Sequence, residues 1–99
     1  MYYNARRKDG LQPYNMQDIG CTIKSAIAAL AQNGSCNEKM FPYEPYLVNR
    51  EPSSACYASG RKYRLSRAER VNANVNEMKA CLAEGFPFVF GLQTFQSFA

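Results

Sequence analysis

Thiols are the side chains of this sequence most suited to chemistry, and the four cysteines stand at positions 21, 36, 56 and 81. Cys36 lies in the polar segment Gly-Ser-Cys-Asn-Glu, where a thiol could act as a nucleophile. A catalytic thiol needs a neighbouring base or cation, and the sequence contains no histidine. Because Cys36 also follows the end of a predicted helix, whose dipole disfavours a thiolate, we predict a structural thiol there.

The cysteine spacing excludes the common metal and redox motifs. No Cys-x-x-Cys pair occurs, so neither a zinc ribbon nor a thioredoxin-like redox centre is supported. Disulfide pairings are open in principle, but Cys21 and Cys81 fall within helical apolar patterns, where a free thiol packs as a small hydrophobic group. We therefore expect reduced, structural thiols, a reducing or weakly oxidising compartment, and no metal or other cofactor.

The remaining titratable residues form no catalytic set either. The eight acidic residues are scattered, and no two of them have the spacing of a paired acid and base. Without histidine, the chain alone cannot assemble a Ser-His-Asp or Cys-His site. The residues themselves thus predict no active site.

Positive charge is concentrated between Arg61 and Arg70. Five basic residues oppose only Glu69 in this run, which equals the whole net charge of +4. Such a stripe can bind phosphates, and Tyr63 could stack on a base. No second aromatic residue stands at stacking spacing, so we favour a solvated edge strand, kept from pairing by its charges, over a nucleic-acid site.

The composition is that of one small domain or of a part of a larger one. Hydrophobic residues make up 46% of the 99 residues and charged residues 20%. No stretch approaches the roughly 18 consecutive apolar residues that a membrane helix requires. The polar, basic N-terminal residues do not form a secretory signal. We expect a soluble chain that makes no membrane contact.

The elements that must position these residues are helical in the first part of the chain. Residues 1–8 resemble the end of a helix, with a stop at Asp9-Gly10. Asp18 is a suitable cap for a long helix that continues to about Asn33, before Gly34 closes it. Four apolar residues at a 3.6-residue period are predicted on its buried face: Ile19, Ile23, Ile27 and Leu30. Ser53 could cap a shorter helix that ends near Arg61.

The later part of the chain alternates strand and helix. The run KYRLSRAERV alternates in part, as an exposed strand does, and Asn74 caps a helix that Gly85 closes. Phe86–Leu92 is almost wholly apolar and rich in β-formers, which predicts a strand buried on both faces. Helices followed by strand, helix and strand give an α+β fold, with a boundary near Gly60.

Five segments in order resemble one protein family. They are YYNARR at 2–7, DIGCTIKSAIAALAQNGSC at 18–36, FPYEP at 41–45, NEMKACLAEGFPFVFG at 76–91 and FQSF at 95–98. In this order and spacing they resemble the middle of a papain-like cysteine peptidase of the compact bacterial kind, over nearly the full chain. The resemblance implies that 1–60 is part of the left, helical lobe. It implies that 61–99 is the strand-helix-strand start of the right-lobe barrel. The segments 1–60 and 61–99 would together make one incomplete papain-like domain.

The same resemblance has consequences for activity. Papain-like peptidases cleave peptide bonds by thiolate attack, with the nucleophile upstream of this segment and the histidine downstream of it. The chain would then contain no catalytic residue and would be inactive alone. Its partner would be the peptide or protein substrate of the full-length parent, and no nucleic acid would be involved.

The resemblance also assigns part of the substrate cleft to this segment. The family places a Gly-Gly pair just before the second left-lobe helix, where the missing Cβ lets substrate backbone approach and pair as an extra strand. Gly20 matches the first glycine, and Cys21 stands at the second. Thr22 and Ile23 would line the pocket for the second side chain on the acyl side of the scissile bond, with Gly91 as its other wall. A plain helix-entry glycine at position 20 is the alternative.

A second hypothesis belongs to a different class of protein. The chain could be a small, non-catalytic binding module that uses the stripe from Arg61 to Arg70 on an acidic partner. Genomic context separates the two hypotheses: a Cys-containing helix encoded just upstream and a Gly-His pair just downstream would favour the peptidase.

Overall fold

Four α-helices and four 3₁₀ turns form the regular structure of residues 1–98, the part of the chain that this computed structural model describes. The helices are α1 (Tyr2–Lys8), α2 (Ile23–Gln32), α3 (Ser54–Gly60) and α4 (Val75–Ala83). The 3₁₀ turns are Pro13–Asn15, Pro45–Leu47, Arg61–Tyr63 and Gln96–Phe98. Two compact units, Met1–Ala68 and Glu69–Ala99, divide the chain, and Ala99 lies outside the described residues.

The predicted α+β fold is wrong, because no residue between 1 and 98 is in a β-strand. Phe86–Leu92 has irregular backbone, and its apolar side chains are largely exposed, with Phe86 at 63% and Val89 at 76%. The run from Lys62 to Val71 is not a strand either, since it starts inside a 3₁₀ turn and continues as irregular backbone. A strand requires a ladder of backbone hydrogen bonds to a neighbouring strand, and no described segment forms such a ladder with either run. Of the predicted strand-helix-strand, only the helix α4 is present.

Helix α2 is shorter than predicted at its N-terminal end. It begins at Ile23 because the Thr22 hydroxyl caps it, accepting a hydrogen bond from the Ser25 N–H at 3.1 Å. The predicted cap, Asp18, lies outside the helix. Two of the residues that we placed on the buried face are exposed, Ile19 at 67% and Ile23 at 40%. The predicted end is confirmed, since α2 stops at Gln32 and Gly34 adopts a φ of +68°.

The core of the first unit is small and is built where helices meet. Helix α1 packs against α2, and the fully buried apolar residues come from three helices. They are Tyr3 and Ala5 of α1, Ala29 of α2 and Cys56 of α3. Three of these four side chains are small, which lets the helix backbones approach closely, so little apolar surface is needed to join them.

Two facing glycines set the contact between the end of α2 and the end of α3. A Cβ on Gly34 would lie 1.9 Å from the backbone oxygen of Gly60. Just beyond this contact the Leu65 N–H donates to the Leu30 oxygen at 3.1 Å, which ties the segment after α3 back to α2. The backbone therefore touches directly at this point, and no side chain other than hydrogen fits at Gly34.

Arg6 is a fully buried charged side chain of the first unit. Its guanidinium donates to the Gln17 oxygen at 2.7 Å, to Asn49 Oδ1 at 2.6 Å and to the Val48 oxygen. The same group lies 3.9 Å from the centre of the Tyr2 ring, a cation–π contact. Arg6 thus joins α1 to the segment before α2 and to the segment before α3.

The regular structure of the second unit is α4 and the 3₁₀ turn Gln96–Phe98, with an irregular run between them. Asn74 caps α4 as predicted, its Oδ1 accepting from the N–H groups of Asn76 and Glu77 at 2.8 and 3.3 Å. Gly85, at φ +89°, ends the helix, also as predicted. In the run beyond it, the Phe88 and Phe90 rings lie 6.0 Å apart. None of the described helices is long and apolar enough to cross a membrane.

Candidate functional site

The segment leading into α2 is an exposed turn that depends on glycine. Gly20 adopts a φ of +84°, a left-handed conformation that residues with a Cβ rarely adopt. No atom beyond its chain neighbours lies within 4 Å of the place where a Cβ would stand, so the surface above Gly20 is open. The requirement for glycine here comes from the backbone conformation and not from crowding.

Tyr2 of α1 holds the N-terminal side of this turn. Its hydroxyl donates to Asp18 Oδ1 at 2.6 Å and accepts from the Gly20 N–H at 2.7 Å. The hydrogen bond to the Asp18 carboxylate raises the pKa of Tyr2, so the phenol stays protonated and able to donate. The Tyr2 hydroxyl therefore orients the peptide group between Ile19 and Gly20.

Asp9, just after α1, holds the C-terminal side of the turn. Its carboxylate accepts from the Thr22 N–H and hydroxyl, both at 2.9 Å, and from the Ser25 hydroxyl at 2.6 Å. These bonds, with that from Ser25 the strongest influence, lower the pKa of Asp9. The negative charge also lies beside the N-terminus of α2, where the helix dipole favours it. Both ends of α1 thus fix the turn.

Cys21 lies between these two anchors and faces solvent. Its side chain is exposed, so the predicted burial of this thiol in a helical pattern is wrong. Within the described part of the chain, its backbone N–H and C=O make no hydrogen bond. An exposed residue whose backbone N–H and C=O are both unpaired can bind an extended peptide as an added strand.

The other predicted cleft residues have different surroundings. The Thr22 hydroxyl is engaged by Asp9 and by the helix cap, which leaves only its methyl group to line a pocket. Ile23, in the first turn of α2, is 40% exposed. Gly91 lies in the exposed irregular run of the second unit. The structure brings 20–23 together as one exposed stretch, and the pocket roles of Thr22, Ile23 and Gly91 stay predictions.

Sequence reasoning missed the residues that hold the turn in place. Tyr2 was assigned only to a helix, and Asp9 only to its stop. Their partners lie 13 to 18 positions further along the chain, so no local pattern links them. The proximity of Asp9 to Thr22 follows only from the packing of α1 on α2.

The remaining chemical groups form no second catalytic arrangement. Among residues 1–98, no group of three or more metal-ligating side chains could hold an ion. The basic run is fully exposed, but it starts in the first unit and ends in the second, after Ala68. Burial raises the pKa of the Cys36 thiol, and its neighbour Cys56 raises it further, the opposite of an activated nucleophile.

Comparison with known proteins gives two significant similarities. An uncharacterized peptidase C1-like protein of Acanthamoeba polyphaga mimivirus is 27% identical over 106 residues, which cover 99% of this chain and 33% of that protein. The crystal structure of xylellain, a cysteine protease from Xylella fastidiosa, superimposes with a TM-score of 0.74 and 31% identity, over 85% of this chain and 35% of the protease. No family model matches the sequence. The chain thus spans about a third of each relative, and in sequence and fold it corresponds to part of a papain-like cysteine peptidase.

Proposed function

We propose that the chain supplies a wall of the substrate cleft in a cysteine peptidase that hydrolyses peptide bonds by thiolate attack. The observation that carries the proposal is the match to xylellain, in which 31% identity accompanies a shared fold. The nucleophile and its base would come from other parts of the parent, since this chain has no histidine. The role of the chain is then to bind and orient the peptide, and not to transfer a proton.

The unpaired backbone of Cys21 supports this role. An extended peptide laid beside the turn would accept a hydrogen bond from the Cys21 N–H and donate one to its C=O, in the manner of an added strand. The Gly20 N–H is already taken by the Tyr2 hydroxyl, so the substrate would use only the Cys21 pair. The Thr22 methyl group and Ile23 would meet the second side chain on the acyl side of the scissile bond.

A chimeric protease tests the proposal. The matching third of xylellain is replaced by this chain, which leaves the nucleophile and histidine of the protease in place, and peptide hydrolysis is measured. In this chimera, Cys21→Pro removes the backbone donor, while the matched control Cys21→Gly keeps it. Loss of one hydrogen bond of about 1.4 kcal/mol lowers kcat/KM about tenfold, so we expect that loss for Cys21→Pro only.

Two further measurements make the result decisive. The rate at which iodoacetamide alkylates the nucleophile should be equal in both variants, because this small reagent has no extended peptide backbone to pair with residue 21. Helical circular dichroism should match as well, which shows that the helices of both variants fold alike. Equal kcat/KM for Cys21→Pro and Cys21→Gly would exclude this backbone as a substrate contact.

A further inference from the structure

Two cysteines meet where the segment after α2 crosses α3. Cys56 lies one helical turn before Gly60, so both residues are on the same face of α3. A Cβ on Gly60 would stand 3.5 Å from the Cys36 backbone nitrogen. One turn away, the Cys56 thiol donates to the Met40 oxygen at 3.7 Å. The segment from Cys36 to Met40 is thus in contact with this face at both of its ends.

The surroundings of the two thiols differ in accessibility. Cys56 is 5% exposed, and its sulfur also accepts from the Ser53 hydroxyl at 3.3 Å. Cys36 is half-buried, so a reagent in solution reaches it first. Burial, and after it the neighbouring Cys56 thiol, raises the pKa of Cys36. Cys21 lies at the exposed turn before α2, and Cys81 belongs to the second unit.

We propose that Cys36 and Cys56 form an oxidisable pair, a modification site that closes to an intramolecular disulfide when the chain meets a low-molecular-weight disulfide such as oxidised glutathione. The Cys36 thiolate attacks one sulfur of the oxidant, forms a mixed disulfide and releases one molecule of thiol. The Cys56 thiolate then attacks the Cys36 sulfur and releases the second. The two cysteines lose two electrons and two protons, and the oxidant gains both in becoming two thiols.

The bond would link two segments that already touch. The backbone contact between Gly34 and Gly60 holds the segment after α2 against α3 before oxidation, so little ordering is needed to join the sulfurs. In an unfolded chain a different disulfide is preferred. Cys36 is nearer in sequence to Cys21 than to Cys56, and the shorter loop closes more readily. Which disulfide forms therefore shows whether the contact in the folded chain determines the pairing.

Oxidation of the reduced 99-residue chain in glutathione buffers tests the proposal. The products are mapped by mass spectrometry of non-reduced digests, in native buffer and in concentrated guanidinium chloride. We expect Cys36–Cys56 to predominate in native buffer, with an equilibrium constant for closure at least about tenfold above that in denaturant. The denatured chain should favour Cys21–Cys36. The same product mixture and equilibrium constant in both solvents would overturn the proposal.

Single substitutions provide matched controls. Cys21→Ser keeps the proposed pair and should still close it. Cys36→Ser leaves Cys21 as the other thiol of the first unit, and because Cys21 lies at the exposed turn before α2, Cys21–Cys56 should not predominate in native buffer. Oxidised Cys21→Ser should melt about 10 °C above its reduced form, because the bond restricts the unfolded chain. A lower Tm after oxidation would show that the bond distorts the native contact, which would also refute the proposal.

Discussion

The contact between Gly34 and Gly60 can be tested by replacing Gly34 with alanine. The new Cβ would stand 1.9 Å from the Gly60 oxygen, 2.9 Å from its carbonyl carbon and 3.0 Å from the Tyr63 oxygen. All three are backbone atoms, so no side-chain rotation relieves the clash. The substitution also places a Cβ on a residue whose φ is +68°.

The expected loss of stability has two parts. The left-handed conformation costs about 1 to 2 kcal/mol for a residue with a Cβ. Moving the end of α3 away from Gly34 breaks the Leu65–Leu30 hydrogen bond, worth about 1 kcal/mol, and uncovers part of the buried Cys56. The sum is about 3 kcal/mol, which is a large part of the total of about 5 to 15 kcal/mol typical of domains.

Urea unfolding followed by helical circular dichroism measures this loss, with two control variants. Gly10→Ala has a φ of +105° but nothing within 4 Å of the new Cβ, so only the conformational cost applies. Gly60→Ala has no positive φ, but its Cβ would lie 2.8 Å from the Asn33 oxygen, so it reports crowding alone. We expect Gly34→Ala to be the most destabilising of the three. A loss no larger than that of Gly10→Ala would refute the proposed backbone contact.

Four other outcomes are expected. Asp9→Asn should lower the Tm at pH 7. Because folding lowers the pKa of Asp9, the carboxylate stabilises the fold above the pKa of the unfolded chain, and this contribution is lost as the pH falls through the pKa of the folded chain. Between pH 7 and pH 3 the Tm of the variant should therefore fall less than the Tm of the unsubstituted chain. Tyr2→Phe removes the acceptor of the Gly20 N–H, and amide exchange of Gly20 by NMR should accelerate about fivefold or more; an unchanged rate would contradict the hydrogen bond. The isolated chain should neither hydrolyse peptides nor react rapidly with a vinyl-sulfone peptide probe, and stoichiometric labelling of one cysteine at neutral pH would disprove this. The exposed apolar residues of Phe86–Leu92 should bind a hydrophobic dye, and truncation before Phe86 should abolish most of the signal if they are its source.

Helices with local start and stop signals were predictable from the sequence. Ser53 caps α3 and Asn74 caps α4 because a side-chain oxygen needs only the next two or three backbone N–H groups, which the sequence itself supplies. The N-terminus of α2 was not predictable in this way. Asp18 is equally suitable as a cap, but Tyr2, 16 positions away, engages its carboxylate, and Thr22 caps the helix instead.

The strands and the site depend on partners that a local pattern does not contain. Phe86–Leu92 has the composition of a buried strand. Composition alone does not determine whether another segment pairs with the backbone of this run. For Cys21 the helical apolar pattern predicted a packed thiol, and the side chain is exposed instead. The anchoring by Tyr2 and Asp9 was not predictable, because it arises from the packing of two helices.

The attachment of α1 through the buried Arg6 differs from the attachment through Asp9 in its response to acid. Its partners are carbonyl oxygens, an amide and an aromatic ring, none of which gains or loses charge as the solution is acidified. The Asp9 attachment instead weakens once that carboxylate is protonated, because the negative charge is lost and one of its oxygens becomes a donor. On acidification the entrance of α2 should therefore come loose first, while α1 stays joined to the segment before α3. High salt should likewise leave the Arg6 attachment intact, since it contains no opposite charge to screen.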